Sequence, residues 1–380
     1  MLKGTYPLDR FAGQRTPFYY YDTDLLQRTL ETVCQQLRDR PQWRVHYAVK
    51  ANHNPVLLKQ IAAAGLGADC VSGGEIQAAL DAGFPASGIV YAGVGKADWE
   101  IDLGLDAGID RFNVESAAEL EVIAERAAAK GVIARISLRI NPDIGAHTLA
   151  GITTGLAENK FGIYHGETES VIRLAMSRPS IKYCGLHFHI GSQILDMSDF
   201  VALCNRINDL TARLKRQGLP VGDLNVGGGL GIEYGHPNHL PIAAFESYFA
   251  TYKRHLPADI PVHFELGRSI VAPCGTLISR VLYVKQGLSR KFAVLDAGMN
   301  DLIRPALYHA SHRIENLSSE GPETEYDVVG PICESSDVFG KGVVLNECRR
   351  GDFIAIRSAG AYCESMASSY NCRPLAPSVF

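Results

Sequence analysis

The stretch Trp43–Phe84, WRVHYAVKANHNPVLLKQIAAAGLGADCVSGGEIQAALDAGF, runs through a short apolar segment, a polar turn and a helical segment, and then repeats all three. Val45–Val49 and Ala68–Val71 read as strands, being short runs bounded by turn residues. Asn54–Ala64 and Gly74–Ala82 carry apolar residues at three- and four-residue intervals, and so read as amphipathic helices. A repeated strand–turn–helix rhythm is a string of βα units, which builds a parallel sheet.

Working outward, the rhythm continues to Ala272. Further strand candidates are Ile89–Tyr91, Phe112–Val114, Arg135–Ile140, Tyr183–Phe188, Leu224–Val226 and Val262–Glu265, with helices at Ala117–Ala129 and Ser198–Gln217. Eight strands in this pattern predict an α/β fold, a (β/α)8 TIM barrel. Past about residue 275 the texture changes to β-branched runs joined by Gly, Pro and Asn turns: Thr276–Lys285, Phe292–Asp296, Tyr326–Val329 and Phe353–Arg357. The aromatic run Phe18–Tyr21 stands outside the barrel rhythm and suits a strand of that later sheet. The expected division is therefore a barrel over 30–275, with 1–29 and 276–380 forming a β-sandwich or β-barrel domain. Ala150–Phe161, rich in Gly and Thr, reads as a loop over the barrel mouth.

A chain of 380 residues with 46% apolar content is too long for one small fold and too apolar for disorder. Its 37 basic and 41 acidic side chains leave a net charge of −4, which offers nucleic acid or anionic lipid no general attraction. Small-molecule chemistry is the class that remains. The first ten residues lack the pattern of a signal peptide, and no stretch reaches the roughly 18 apolar residues of a membrane span, so a cytoplasmic protein is expected. Nine cysteines form no CxxC pair, which suits neither a disulfide scaffold nor a zinc site; reduced thiols and no metal are expected.

The residues with chemical potential sit at or just past predicted strand ends, where a βα barrel places its catalytic groups. Lys50 closes Val45–Lys50; alone it reads as a snorkelling or ion-paired lysine, but a partly desolvated amine there also suits imine formation. Asn225-Val226-Gly227-Gly228-Gly229-Leu230-Gly231 is either a plain turn or a cradle of backbone N–H groups. With no GxGxxG or GKS/T pattern, a single phosphate fits it better than a dinucleotide. Ser192 adds a hydroxyl donor, and His189 offers a flat ring or a structural one. Glu265 and Arg268 flank Gly267, as an internal ion pair or as partners for a heterocyclic nitrogen and an anion. Lysine, phosphate cradle and carboxylate at three strand ends describe a pyridoxal 5'-phosphate site.

Six ordered motifs then carry a resemblance over nearly the whole chain: Tyr47–Asn52, His187–Gln193, Gly227–Gly229, Glu265–Arg268, Gly330–Asp337 and Gly360–Cys363. They are similar to those of the diaminopimelate decarboxylases, within the alanine-racemase-like (fold type III) pyridoxal-phosphate enzymes. The resemblance implies decarboxylation of meso-2,6-diaminopimelate to L-lysine, the last step of lysine biosynthesis, by a homodimer whose active sites are completed across the interface. It further implies that Lys50 carries the cofactor covalently and that His189 stacks on its ring. Ser192, Gly228, Gly229 and the stretch Glu265, Leu266, Gly267 and Arg268 would hold phosphate and ring nitrogen, with Tyr362 touching cofactor and substrate. Substrate contacts would come from Arg268, Arg304, Tyr308, Glu334 and Tyr362, with Cys333 and Glu334 supplied by the partner chain.

Two positions depart from the family pattern: Leu266 replaces the usual proline, and Cys363 replaces a small residue. Cys333 is the expected proton donor, since a thiol is mostly protonated at neutral pH and its neighbours Glu334 and Asp337 are poor core residues. Arg268 and Arg304 suit a distal carboxylate and Glu334 an amine, whereas decarboxylases of ornithine or arginine need acidic residues for a distal cation. The alternatives are a carboxynorspermidine or other basic amino-acid decarboxylase of the same fold, and a non-enzymatic pyridoxal-phosphate-binding regulatory homologue.

Overall fold

The computed structural model describes residues 6–142 and 160–380; all but the last two residues of the predicted loop Ala150–Phe161 lie outside them. The chain divides into two compact units, Gln27–Gly231 with Pro241–Ile270, and Met1–Leu26 with Ile232–Leu240 and Val271–Phe380. The sequence reading differs at 232–240, which it placed in the barrel. Asn238 ties this stretch to the second unit by donating to the Pro273 carbonyl (2.7 Å) and the Thr276 hydroxyl (3.2 Å). Among the described residues no helix is long and apolar enough to cross a membrane.

Strand β1 (Phe18–Tyr21) precedes the first unit. That unit's strands are β2 (Arg44–Ala48), β3 (Gly67–Cys70), β4 (Ile89–Tyr91), β5 (Arg111–Val114), β6 (Ala134–Asn141), the two-residue β7 (Ile163–Tyr164), β8 (Ile181–His187), β9 (Asp223–Asn225) and β10 (Val262–Leu266). All pair in parallel in the order β5-β4-β3-β2-β10-β9-β8-β6, and β6 returns to β5, closing an eight-stranded barrel. The runs identified in the sequence become these eight strands; β3, β4, β5, β6 and β10 are buried along nearly their whole length, and β8 along its second half, between interior and helices.

Several barrel helices start on residues that satisfy their own first turn. Ser72 and Ser116 accept hydrogen bonds from the N–H groups of Glu75 and Glu119, and those glutamates accept in return from Val71 and Glu115. This is a relative of the Ser-x-x-Glu capping box in which the glutamate reaches one residue further back, to the N–H that precedes the capping serine. Helices Gly73–Asp81 and Ala117–Lys130 therefore begin at the mouth of the barrel immediately after β3 and β5.

The second unit is one eight-stranded mixed sheet. Its remaining strands are β11 (Gly275–Gln286), β12 (Lys291–Leu295), β13 (Ile314–Asn316), β14 (Glu323–Val329), β15 (Val338–Asn346), β16 (Phe353–Ile356) and β17 (Ser378–Val379). The long β11 organises it: residues up to 280 pair with β1 and β16, residues from 281 pair with β12, and an irregularity between Val281 and Tyr283 separates the halves. Tyr6, Phe11, Phe18, Ile278, Leu317 and Phe353 pack as its core. The N-terminal aromatic run thus belongs here because Phe18 pairs with Ile278 and buries its ring fully.

Removing the Ser116 cap should cost about 1 kcal/mol as Ser116→Ala but only a few tenths as Ser116→Gly. Denaturant midpoints of the two variants check this, and equal losses would mean that the hydroxyl is not capping the helix.

Candidate active site

Five polar side chains occupy the last two positions of barrel strands and converge in the interior: Asp69, Asn113, His187, Asn225 and Glu265. Glu265 is their centre. Its Oε1 accepts from Asn225 (2.7 Å) and Asn113 (3.2 Å), and its Oε2 meets His187 Nε2 at 3.1 Å. Burial opposes charge on Glu265, yet the charge and hydrogen bond of His187, with the Lys50 cation, hold its carboxyl far below the ordinary carboxylate range. Asp69 shows the reverse: burial, with the nearby Glu265 charge adding to it, pushes its carboxyl well up, and its Oδ1 has no hydrogen-bond partner. The two carboxyls are driven apart, Glu265 held ionised and Asp69 pushed toward its neutral form, in the manner of a catalytic interior.

Lys50 stands in the single turn Val49–Ala51 that follows β2, with its side chain exposed at the mouth. Tyr47 fixes that turn by donating to the Asn52 carbonyl at 2.8 Å. Gly267 allows β10 to lie against it, since a Cβ there would sit 3.0 Å from Ala51 and 3.1 Å from Ala48. Leu266, at the position where proline was expected, is buried beside Glu265.

The glycine run forms a cradle that side chains would destroy. Gly227 and Gly229 have φ of +69° and +96°, and a Cβ on Gly228 would lie 1.9 Å from the Glu265 carbonyl oxygen. The Glu265 N–H donates to the Gly227 carbonyl at 2.8 Å, so the loop is seated directly on β10. Ser192 joins it through its own turn: Ile194 N–H donates to the Gly229 carbonyl (2.9 Å), and Arg268 Nη2 donates to the Ser192 hydroxyl at 3.2 Å. His189 lies alongside, with burial and the Lys50 and Arg139 cations holding its imidazole well below its usual range and therefore neutral. The structure thus gathers Lys50, His189, Ser192, Gly228, Gly229, Glu265, Leu266, Gly267 and Arg268 at one end of one barrel.

The remaining expected residues belong to the second unit. Arg304 is buried in helix Arg304–Tyr308; it donates to His312 Nε2 at 2.7 Å and stacks 5.0 Å from the Tyr234 ring centre. His312 Nδ1 faces the Arg357 carbonyl at 2.8 Å, which assigns the proton to Nδ1 and leaves Nε2 to receive the guanidinium. Tyr308 is half-buried at that helix's end, and Tyr362 is held at φ +57°, a conformation non-glycine residues adopt reluctantly. Cys333 and Glu334 are exposed on the loop between β14 and β15. Asp337 differs from the sequence reading: it is 3% exposed and organises this loop by accepting from the N–H groups of Ile332 and Met299, each at 2.7 Å. Cys363 is buried, its thiol directed at the Ala361 carbonyl.

Sequence reasoning missed Asp69, Asn113, His187 and Asn225, and the Arg304 partners Tyr234 and His312. The first four did leave a signal, as polar residues at the closing positions of otherwise apolar strands.

The site fits pyridoxal phosphate on its own chemistry: an accessible lysine amine, a fixed carboxylate, a neutral flat ring and a cradle that admits only glycine. The comparisons agree. Residues 24–272 match the family model described as "Pyridoxal-dependent decarboxylase, pyridoxal binding domain". Fold and site together define a pyridoxal-dependent decarboxylase. The chain is 62% identical to a diaminopimelate decarboxylase of Bacteroides thetaiotaomicron, over 98% of this chain and 97% of the relative. The crystal structure of the Helicobacter pylori diaminopimelate decarboxylase complexed with L-lysine superposes with a TM-score of 0.91 at 40% identity, covering 99% of this chain and 94% of that one. That of the M. jannaschii diaminopimelate decarboxylase, also with L-lysine, gives 0.90 at 35%, covering 98% and 88%. This chain belongs to the diaminopimelate decarboxylase family.

Gly228→Ala should displace the loop from β10 and weaken pyridoxal-phosphate binding at least ten-fold, as read by absorbance titration; unchanged affinity would mean the loop is not the cradle. Asp69 gives a pH test. Its raised folded-state value means the unfolded chain ionises first, so its contribution to stability is present below about pH 3.9 and lost as pH rises, by up to about 1.4 kcal/mol per unit. Asp69→Asn lacks this loss, and urea midpoints of the cofactor-free proteins should diverge in favour of the variant as pH rises above about 3.9; parallel midpoints would contradict a raised Asp69 value.

Proposed function

We propose that the chain decarboxylates meso-2,6-diaminopimelate to L-lysine and carbon dioxide, with bound pyridoxal phosphate, as the last step of lysine biosynthesis. The observation that carries the reading is Glu265, a buried carboxylate at the closing end of β10 whose two oxygens are held by Asn225, Asn113 and His187. When bound, the cofactor supplies an electron-poor ring that receives the electron pair left by departing carbon dioxide. Lys50 is its covalent anchor. Glu265 keeps a proton on the ring nitrogen, stabilising the charge that develops there. Three aligned donors stop the carboxylate from turning away, so that stabilisation is prepaid in the folding of the barrel. His189, being neutral, lies against the ring face without competing for its charge. Ser192, Gly228, Gly229, the Leu266–Gly267 backbone and Arg268 hold the phosphate, and Tyr362 contacts cofactor and substrate.

Arg268 and Arg304 bind substrate carboxylate, with Tyr308 beside them, and Glu334 takes the distal amine. Arg304 suits this task because His312 and Tyr234 hold its fork in place, which removes the rotamer cost of ordering an arginine on binding. Cys333 returns a proton to the α-carbon from its Sγ. The working form we propose is a cytoplasmic homodimer in which Cys333 and Glu334 serve the partner's site.

Carbon dioxide release should be fastest from meso-diaminopimelate when it is compared with ornithine, arginine and carboxynorspermidine; preference for any of these three overturns the assignment of Arg304 and Glu334. Glu265→Gln should bind the cofactor but lose roughly two to three orders of magnitude in kcat, the usual scale for a fixed electrostatic group. Cys333→Ala should slow turnover and leave cofactor affinity intact, and an unchanged rate removes it as proton donor.

A further inference from the structure

Behind the glycine cradle stands a residue that neither the motifs nor the proposed reaction uses. Tyr248, on helix Ile242–His255, is completely buried. Its hydroxyl lies 3.2 Å from the Gly228 carbonyl oxygen and 3.5 Å from that of Gly227. Both carbonyls belong to trans peptides, in which the N–H of the next residue points the opposite way. The Gly227 oxygen is already held on β10 by the Glu265 N–H at 2.8 Å, and the Gly228 N–H faces His189 Nδ1 at 3.4 Å, so the one proton of Tyr248 serves chiefly to pin the Gly228 oxygen on the helix side, which turns the Gly229 N–H toward the mouth.

The tyrosine itself has little freedom. Phe200 meets its ring edge-on at 4.9 Å, Tyr252 at 5.1 Å, Phe249 at 5.4 Å and Phe264 at 5.8 Å. Phe200 also backs the loop, 3.5 Å from where a Gly229 Cβ would stand. Burial raises the phenol's pKa, so the proton it donates stays in place throughout the working range. Glycine gives the loop its conformational reach and, for the same reason, leaves it without stiffness of its own. A rigid donor against its back supplies that stiffness.

We propose that Tyr248 is a positioning residue for the phosphate subsite: its hydroxyl holds the Gly228 carbonyl so that the following amide faces the cofactor's phosphate. This rests on the reading above that the glycine loop holds the phosphate. The hydroxyl then contributes to affinity for the phosphorylated cofactor and not to affinity for pyridoxal, which lacks the phosphate but has the same ring and aldehyde.

The test is absorbance titration of the full chain with pyridoxal phosphate and with pyridoxal, in the wild type, in Tyr248→Phe and in Tyr252→Phe. Tyr252→Phe controls for disturbance of the aromatic cluster. In Tyr248→Phe, Kd for pyridoxal phosphate should rise roughly three- to ten-fold, the scale of one net hydrogen bond, with Kd for pyridoxal unchanged. Tyr252→Phe should keep the wild-type ratio of the two constants. A Tyr248→Phe protein that retains the wild-type ratio, or a Tyr252→Phe protein that loses it equally, overturns the role of Tyr248. A wild type that binds both aldehydes equally well would instead remove the phosphate cradle, and with it the reading on which this inference rests.

Discussion

One buried carboxylate sets the terms for the rest of the barrel interior. An ionised group removed from water is tolerated only when its oxygens are satisfied and opposite charge lies close. Glu265 meets both conditions through Asn113, Asn225 and His187, one each from β5, β9 and β8. Those strands must therefore keep their register with β10, and polar residues must stand where a barrel usually places Val, Ile or Leu. The same backbone position receives the glycine loop, whose Gly227 carbonyl accepts the Glu265 N–H. The proposed ring-nitrogen partner and the proposed phosphate cradle are in this way built on opposite sides of a single residue.

Charge around this centre is arranged as a graded set. Glu265 is held ionised, Asp69 is pushed toward its neutral form, and His189 is kept neutral. Lys50 faces all three. Burial, usually a penalty for such groups, is here what separates their protonation states.

Much of this was legible in the sequence. The βα rhythm located the eight barrel strands to within a residue or two, because parallel barrel strands are short, apolar and separated by amphipathic helices. Lys50, Glu265, Arg268 and the glycine run were visible as strand-end residues whose chemistry converges on one cofactor. Asp69, Asn113, His187 and Asn225 were not singled out, since one polar residue in a short strand has no meaning until the barrel closes and brings four others to it. The stretch 232–240 has no periodicity to read, and the hydrogen bonds of Asn238 with the packing of Tyr234 on Arg304 and His312 assign it to the β unit. Asp337 was misjudged because a carboxylate that accepts backbone N–H groups in a tight loop is buried for reasons that residue type does not reveal.

The central claim is that this barrel carries pyridoxal phosphate covalently on Lys50, opposite Glu265. Borohydride reduction of the purified holoenzyme, followed by mass-spectrometric mapping of the peptides, tests it most directly. The yellow colour should be lost and a pyridoxyl group should be found on Lys50. A label on any other lysine, or a protein that takes up no cofactor at all, would contradict the account.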